Sequence, residues 1–131
     1  MNAKIKNMLK TAIMGLSLGF VVMGSANAYT CLQVKGLMNN SYSHFLKYRN
    51  DDPKTAVTEV YAWTKAQGFN TAEQKIFVGA GMYLDIAARE DSSISDAKDV
   101  AMKACEDGGA GWIMTQFYNK ADAYMEENNI E

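Results

Sequence analysis

The sequence has few of the residues from which metal and catalytic sites are usually built. Among 131 residues it contains two cysteines, one proline and one histidine, His44. A zinc site needs several His or Cys ligands at short spacing, and neither a His-x-x-x-His nor a Cys-x-x-Cys pattern occurs. The glycine-rich segment 108–111 is not followed by the lysine of a phosphate-binding loop. The sequence therefore predicts no metal and no cofactor.

The acid–base residues also give little sign of catalysis. His44 lies off the main apolar stripe of its segment, which favours a solvated or rim position over a catalytic one. Carboxylates are numerous, but on helices they usually face solvent. Asp85 is the exception because it lies inside an apolar segment, and its spacing predicts an ion pair with Arg89 four residues later. We predict a non-enzymatic protein.

Residues 1–28 have the layout of a secretory signal. A positive region with three lysines and no acidic residue precedes an apolar run at 11–24, and the triplet Ala-Asn-Ala follows. This pattern predicts cleavage between Ala28 and Tyr29. The apolar run is shorter than the roughly 20 residues that a membrane span needs, which argues against a membrane anchor. We predict a periplasmic protein with a cleaved signal at 1–28 and a single helical domain at 29–131.

The charge of the remaining 103 residues is acidic. Three of the 13 Lys and Arg residues and none of the 15 Asp and Glu residues lie in 1–28, so residues 29–131 carry a formal net charge of −5. Nucleic-acid binding requires a concentrated Lys/Arg footprint, which is absent. The expected partner is another protein, either one specific partner or unfolded clients.

The two cysteines, Cys31 and Cys105, both fall in the domain predicted to be secreted. In an oxidising compartment a pair of cysteines in a small domain favours one intramolecular disulfide. Closing a loop of this length stabilises a fold by roughly 4 kcal/mol in the chain-entropy model. An intermolecular bridge and a redox-active thiol are the alternatives.

Apolar residues recur at helical spacing throughout 29–131, and no segment has the alternation of a strand. Short links between the segments favour antiparallel neighbours. The predicted fold is all-α, a small up-and-down bundle of four to five helices joined by one disulfide. Five helices are expected, at about 31–48, from 53 to just before Gly68, from 70 or 71, from after the 90–95 turn to about 106, and from about Trp112.

Local signals refine several of these boundaries. Asp52 followed by Pro53 predicts a helix start, and Thr71-x-x-Gln74 matches a capping box. Gly79 and Gly81 inside the third helix indicate either close approach of a neighbouring helix or a local break. Val100 is expected to face inward with its alanine neighbours, and the acidic tail at 126–131 is expected to fray.

Large aromatic residues provide the candidate binding surface. Trp63, Phe69 and Trp112 are residue types that dominate protein–protein hot spots. The alternative is that a small helical domain uses them in its core. Trp112 is the strongest candidate for recognition because it follows the glycine-rich segment.

The early cysteine, the late cysteine and the segment Ala62–Asn70, "AWTKAQGFN", give the chain an outline that resembles the HdeA/HdeB-like periplasmic acid-stress chaperones. This resemblance implies a small all-helical domain with one disulfide that holds unfolded clients at low pH. It also implies a switch by dissociation of a homodimer or by partial unfolding. The outline is similar, too, to small helical periplasmic immunity proteins, which implies binding to one toxin or enzyme.

Overall fold

The structure, a computed structural model, describes residues 29–131 and contains five α-helices in this range. The predicted signal segment 1–28, ending at Ala28, lies outside the described residues. A short 3-10 helix, Leu46–Tyr48, follows the first α-helix. No strand occurs between residues 29 and 131, so the prediction of a small all-α bundle is confirmed. The α-helices are α1 (Cys31–Phe45), α2 (Pro53–Ala66), α3 (Thr71–Arg89), α4 (Ile94–Gly108) and α5 (Ala110–Glu127).

Helix α3 lies at the centre of the bundle. It packs most extensively against α5 and α1, and less extensively against α2 and α4. Its side chains are buried on more than one face, in contrast to α4, which buries only Ala101 and Cys105 fully. Helix α3 is buried on several faces because it has neighbours on several sides.

Two glycines in α3 allow its principal neighbours to approach closely. A side chain at Gly79 would collide with the backbone of Phe117 in α5, and one at Gly81 would collide with the side chains of Ser41 and Phe45 in α1. Residues two apart in a helix point in nearly opposite directions, so each glycine serves a different contact. Because α3 continues through both positions, close approach is confirmed and the local break is not.

The starts of α2 and α3 follow the sequence signals, whereas the capping box of α3 lies one residue earlier than predicted. The backbone N–H of Thr55 donates to Asp52 Oδ1 at 2.7 Å, with Pro53 in the first helical position, as predicted. The capping box of α3 pairs Asn70 with Glu73, so the predicted Thr71–Gln74 pair is wrong. The side chain of Gln74 instead donates to the Phe69 carbonyl, at 2.7 Å.

Four helices, α2 to α5, are each followed by a residue with positive φ, at Gly68, Asp91, Gly109 and Asn129. Gly68 occupies the predicted position after α2. At the end of α5 the N–H of Ile130 donates to the Met125 carbonyl at 2.9 Å, and both side chains are buried. This hydrogen-bond pattern and its apolar contact form a Schellman motif. The expectation of a frayed tail is therefore wrong, because the helix end is closed over the core.

A disulfide between Cys31 and Cys105 joins the first residue of α1 to α4, so the predicted intramolecular pairing is confirmed. It leaves no free cysteine among residues 29–131. The inward orientation expected for Val100 is wrong, since its side chain is 63% exposed. Small residues, including Ala101, form the buried contacts of α4, and Val100 lies outside this buried face.

Candidate binding surfaces

Trp63 and Phe69 belong to one aromatic cluster, which also contains His44 and Phe77. The His44 and Trp63 ring centroids are 4.0 Å apart, with the rings tilted by 37°. Trp63 lies 5.9 Å from Phe69 and 5.3 Å from Phe77, measured between ring centroids. Phe69 and Phe77 are buried, whereas His44 and Trp63 are half-buried at the edge. Phe69 is thus a core residue, and only the edge of the cluster is open to a partner.

The cluster is assembled from three separate elements. His44 lies in the last turn of α1, Trp63 in α2 and Phe77 in α3. Phe69 follows Gly68, and its N–H donates to the Thr64 carbonyl at 3.2 Å, which turns the chain back onto the bundle. The cluster therefore ties α2 to both α1 and α3.

Burial against these rings changes the acid–base behaviour of His44. Loss of solvent lowers the pKa of His44 from 6.5 to about 4, with a smaller lowering contribution from the Lys47 charge. The imidazole is therefore neutral near pH 7 and becomes charged only in strong acid. The predicted rim position agrees with its partial burial.

Trp112 lies apart from the aromatic cluster, in the first turn of α5. Its indole packs over Gly108, where an added Cβ would lie 3.0 Å from the ring. The side chain is nevertheless 48% exposed. The three predicted recognition residues are therefore divided between a mostly buried cluster and one exposed indole.

A buried ion pair in α3 contacts the segment that precedes α2. Arg89 Nε lies 2.8 Å from Asp85 Oδ2, as the four-residue spacing predicts. The same guanidinium donates to the backbone carbonyls of Asp51 and Tyr48 at 2.7 and 3.2 Å. Asp85 is 1% exposed, and its Oδ1 has no hydrogen-bond partner. Sequence spacing could not reveal the contacts to Tyr48 and Asp51, because they join segments about 40 residues apart.

An open groove of about 550 Å³ lies between the C-terminal part of α3, the N-terminal part of α4 and α5. Its apolar surface includes Ile86, Ala97 and Val100. This groove was not anticipated from the sequence. The residue that could have indicated it is Val100, whose apolar side chain is expected in the core from its helical spacing.

Within residues 29–131 no group of three or more His, Cys, Asp or Glu side chains is arranged to hold a metal ion. In the same range no helix has the length and apolar character needed to cross a membrane. These findings describe the mature domain predicted from the sequence.

Residues 29–131 form a small, disulfide-linked helical domain with an exposed tryptophan and an open groove. Comparison with protein-family models, curated protein sequences and solved structures gives no match to this chain.

Proposed function

We propose that this protein is a non-enzymatic periplasmic protein that binds unfolded client proteins during acid stress. The observation that supports the proposal is that acid-sensitive side chains hold α2 in the bundle. Two attachments of this helix involve groups that titrate in acid: His44 against Trp63 near its C-terminal end, and the Asp52 cap at its start. Acidification weakens attachments at both ends of one helix.

Protonation weakens each of these attachments. A charged His44 is unfavourable because burial deprives the imidazolium of solvent and the Lys47 ammonium lies nearby. Accepting the Thr55 N–H lowers the pKa of Asp52, so its protonation at low pH weakens the cap. We therefore expect α2 to detach before the rest of the bundle unfolds.

Detachment of α2 provides apolar surface for clients. The inner face of α2 consists of Ala56, Val57, Val60, Tyr61 and Thr64, all buried in the bundle. Its departure also uncovers the rings of Phe69 and Phe77. Large exposed apolar patches are typical of surfaces that bind other proteins.

The disulfide limits how far the acid form expands. It joins α1 to α4, and α2 lies inside the covalent loop between Cys31 and Cys105. Helices α1 and α4 therefore stay covalently linked when α2 detaches. Residues 29–131 would meanwhile change from a net charge of −5 to roughly +11 at pH 2–3, which keeps a protein–client complex soluble by charge repulsion. A disulfide is also compatible with the oxidising periplasm.

Client protection tests the proposed activity directly. The purified protein, with its disulfide formed, is mixed with several unrelated acid-sensitive proteins at pH 2–4 and at pH 7, and light scattering is followed. We expect aggregation to be suppressed only in acid. Absence of suppression for all of the proteins at low pH contradicts the proposal.

A second measurement tests the release of α2. In a Trp112→Phe variant, Trp63 is the only tryptophan of residues 29–131 and reports on the aromatic cluster. Its emission should move to longer wavelength in acid while far-UV circular dichroism retains most of its helical signal. Simultaneous loss of both signals would indicate global unfolding and contradict selective release.

The exposed indole of Trp112 favours an alternative, a specific inhibitor or immunity protein that binds one folded enzyme at neutral pH. A tryptophan that is accessible but supported by Gly108 is a suitable interface anchor. Pull-down from periplasmic and competitor extracts should then recover one stoichiometric partner, and Trp112→Ala should abolish its recovery. A toxin gene beside the gene for this protein would favour this alternative.

A further inference from the structure

The groove between α3, α4 and α5 is a concave apolar surface that the described part of the chain leaves uncovered. Its lining comes from three helices and from the turn between α3 and α4. The volume of about 550 Å³ lies in the range of sites that accept a small molecule or a few side chains of a peptide.

Small side chains explain why the bundle leaves this space. Ala87 of α3 and Ala97 of α4 cannot fill the space between their helices. The hydroxyl of Tyr83 donates to the Ala97 carbonyl at 3.1 Å, which holds the two helices at this separation. Val100 extends the apolar floor toward solvent and is 63% exposed.

The polar lining of the groove is predominantly acidic. Glu90 and Asp96 contribute carboxylates, and Lys120 on α5 is the only basic residue in the lining. The ion pairs found among residues 29–131 involve Asp85, Asp107 and Asp122 as the acidic partners, so the groove carboxylates have no cationic partner. An occupant with positive charge would complement them.

We propose that this groove binds a basic, apolar peptide segment of a partner protein at neutral pH. An apolar side chain of the segment lies on Ala97 and Val100, and a Lys or Arg side chain reaches Glu90 and Asp96. Neither part suffices alone, because exposed ion pairs contribute little without buried apolar area. Lys120 on the opposite wall disfavours segments with consecutive positive charges.

This docking function goes beyond the proposed acid-stress activity. It requires the groove carboxylates and the intact bundle at neutral pH, whereas client holding requires acid and release of α2. The two therefore fail independently: loss of peptide binding at pH 7 leaves client protection at pH 3 unaffected, and the reverse also holds.

The test uses defined peptides and the purified protein with its disulfide formed. A short, end-blocked amphipathic peptide of Leu and Lys is the probe, and matched peptides replace Lys by Glu or Leu by Ser. Fluorescence anisotropy at pH 7 measures binding, and amide chemical shifts locate it. We expect only the Leu/Lys peptide to bind well, with shifts concentrated at residues 83–100 and 120.

Variants distinguish peptide binding in the groove from general electrostatic attraction of a basic peptide to an acidic protein. Glu90→Gln/Asp96→Asn should weaken binding roughly tenfold, and Val100→Ser roughly fivefold. Lys120→Ala should strengthen binding roughly threefold. Glu59→Gln/Glu126→Gln removes the same charge from two exposed positions outside the groove lining and should change affinity less than about twofold.

Four outcomes would overturn the proposal. The first is an equal loss of affinity in the groove and control variants, and the second is the location of the shifts elsewhere. The third is binding of a polyamine as tight as that of the peptide, which would assign the groove to small cations. The fourth is a concentration-dependent dimer in sedimentation that Val100→Ser abolishes, which would assign the groove to a second copy of this chain.

Discussion

Gly79 of α3 lies against the backbone of Phe117 in α5, and no space for a side chain remains between them. This contact sets the distance between the two most extensively packed helices of the bundle. Since backbone atoms cannot rotate away as a side-chain end can, the helices themselves must separate to admit a methyl group.

Gly79→Ala should therefore destabilise the fold by about 3 kcal/mol or more, despite the higher helix propensity of alanine. Gly36→Ala is the matched control, because a methyl group at that exposed position in α1 meets nothing within 4 Å. It should stabilise the protein by up to about 1 kcal/mol. Urea denaturation measures both, and similar effects of the two substitutions would contradict this role of Gly79.

The positions of the helices could largely be predicted because their signals are local. Asp52 with Pro53 and the glycine at 68 define helix boundaries through hydrogen bonds within a few residues. Close approach of a neighbouring helix at Gly79 and Gly81 could also be predicted, since glycine in a helix interior is unfavourable without a packing reason. The sequence did not indicate which helix each glycine meets.

Surface features depended on the arrangement of helices and were predicted less well. Val100 has helical spacing to Ala97 and Ala104, which are partly buried, yet it faces the groove because α4 packs through a narrow face of small residues. Of the candidate surface residues Trp63, Phe69 and Trp112, Phe69 takes the alternative core position, because the turn after Gly68 buries it. Exposure of Trp112 could not be read from its spacing alone, because neighbouring residues of α5 are buried.

His44→Phe should remove part of the acid sensitivity of the fold while keeping a ring against Trp63. The pKa of His44 is about 4 in the folded protein and 6.5 ordinarily, so the unfolded state binds more protons between these values. Stability contributed by the neutral imidazole is therefore lost progressively as pH falls from 6.5 to 4. Solvent at the exposed edge limits the change to about 2 kcal/mol.

Urea denaturation of wild type and His44→Phe at pH 7 and pH 4 measures this contribution. The difference in unfolding free energy between the proteins should shift in favour of the variant at pH 4. Equal pH dependence of the two proteins would show that the imidazole does not contribute to acid sensitivity.

Asp52→Asn should change stability only in strong acid. Asparagine is as good an N-cap as aspartate, so the Thr55 N–H keeps an acceptor at neutral pH. The pKa of Asp52 lies below its usual 3.8 because of this hydrogen bond, so wild type loses the benefit of the carboxylate as pH falls below 3.8. The variant should show a smaller decrease in Tm from pH 5 to pH 2.5, with Asp52→Ala as the control that lacks a cap at both pH values.

Arg89→Met should be strongly destabilising because it removes three hydrogen bonds and leaves Asp85 buried without a partner. Breaking one side of a buried ion pair typically costs about 3–5 kcal/mol. Arg89→Lys should have a smaller effect, since the ammonium can pair with Asp85 but does not reproduce the planar fork that reaches both carbonyls.

Adding Asp85→Asn to Arg89→Met should recover part of the loss at pH 7, since the double variant contains no buried unpaired charge. Denaturation of the three variants measures the coupling between the two positions. A cost for Arg89→Met below about 0.5 kcal/mol would contradict the proposed role of this pair in fastening the segment before α2.

The double variant Cys31→Ala/Cys105→Ala tests two effects of the disulfide, on the stability of the fold at neutral pH and on the compactness of the acid form. The lost cross-link should lower stability by about 4 kcal/mol at pH 7, and the variant should still fold at low temperature if its helices pack well. At pH 3 the wild-type protein should remain compact because α1 and α4 stay joined, whereas the variant should expand. Small-angle scattering at both pH values measures this difference. Expansion of wild type to the dimensions of the variant would indicate that the disulfide does not restrain the acid form, and client protection would then require another source of residual structure.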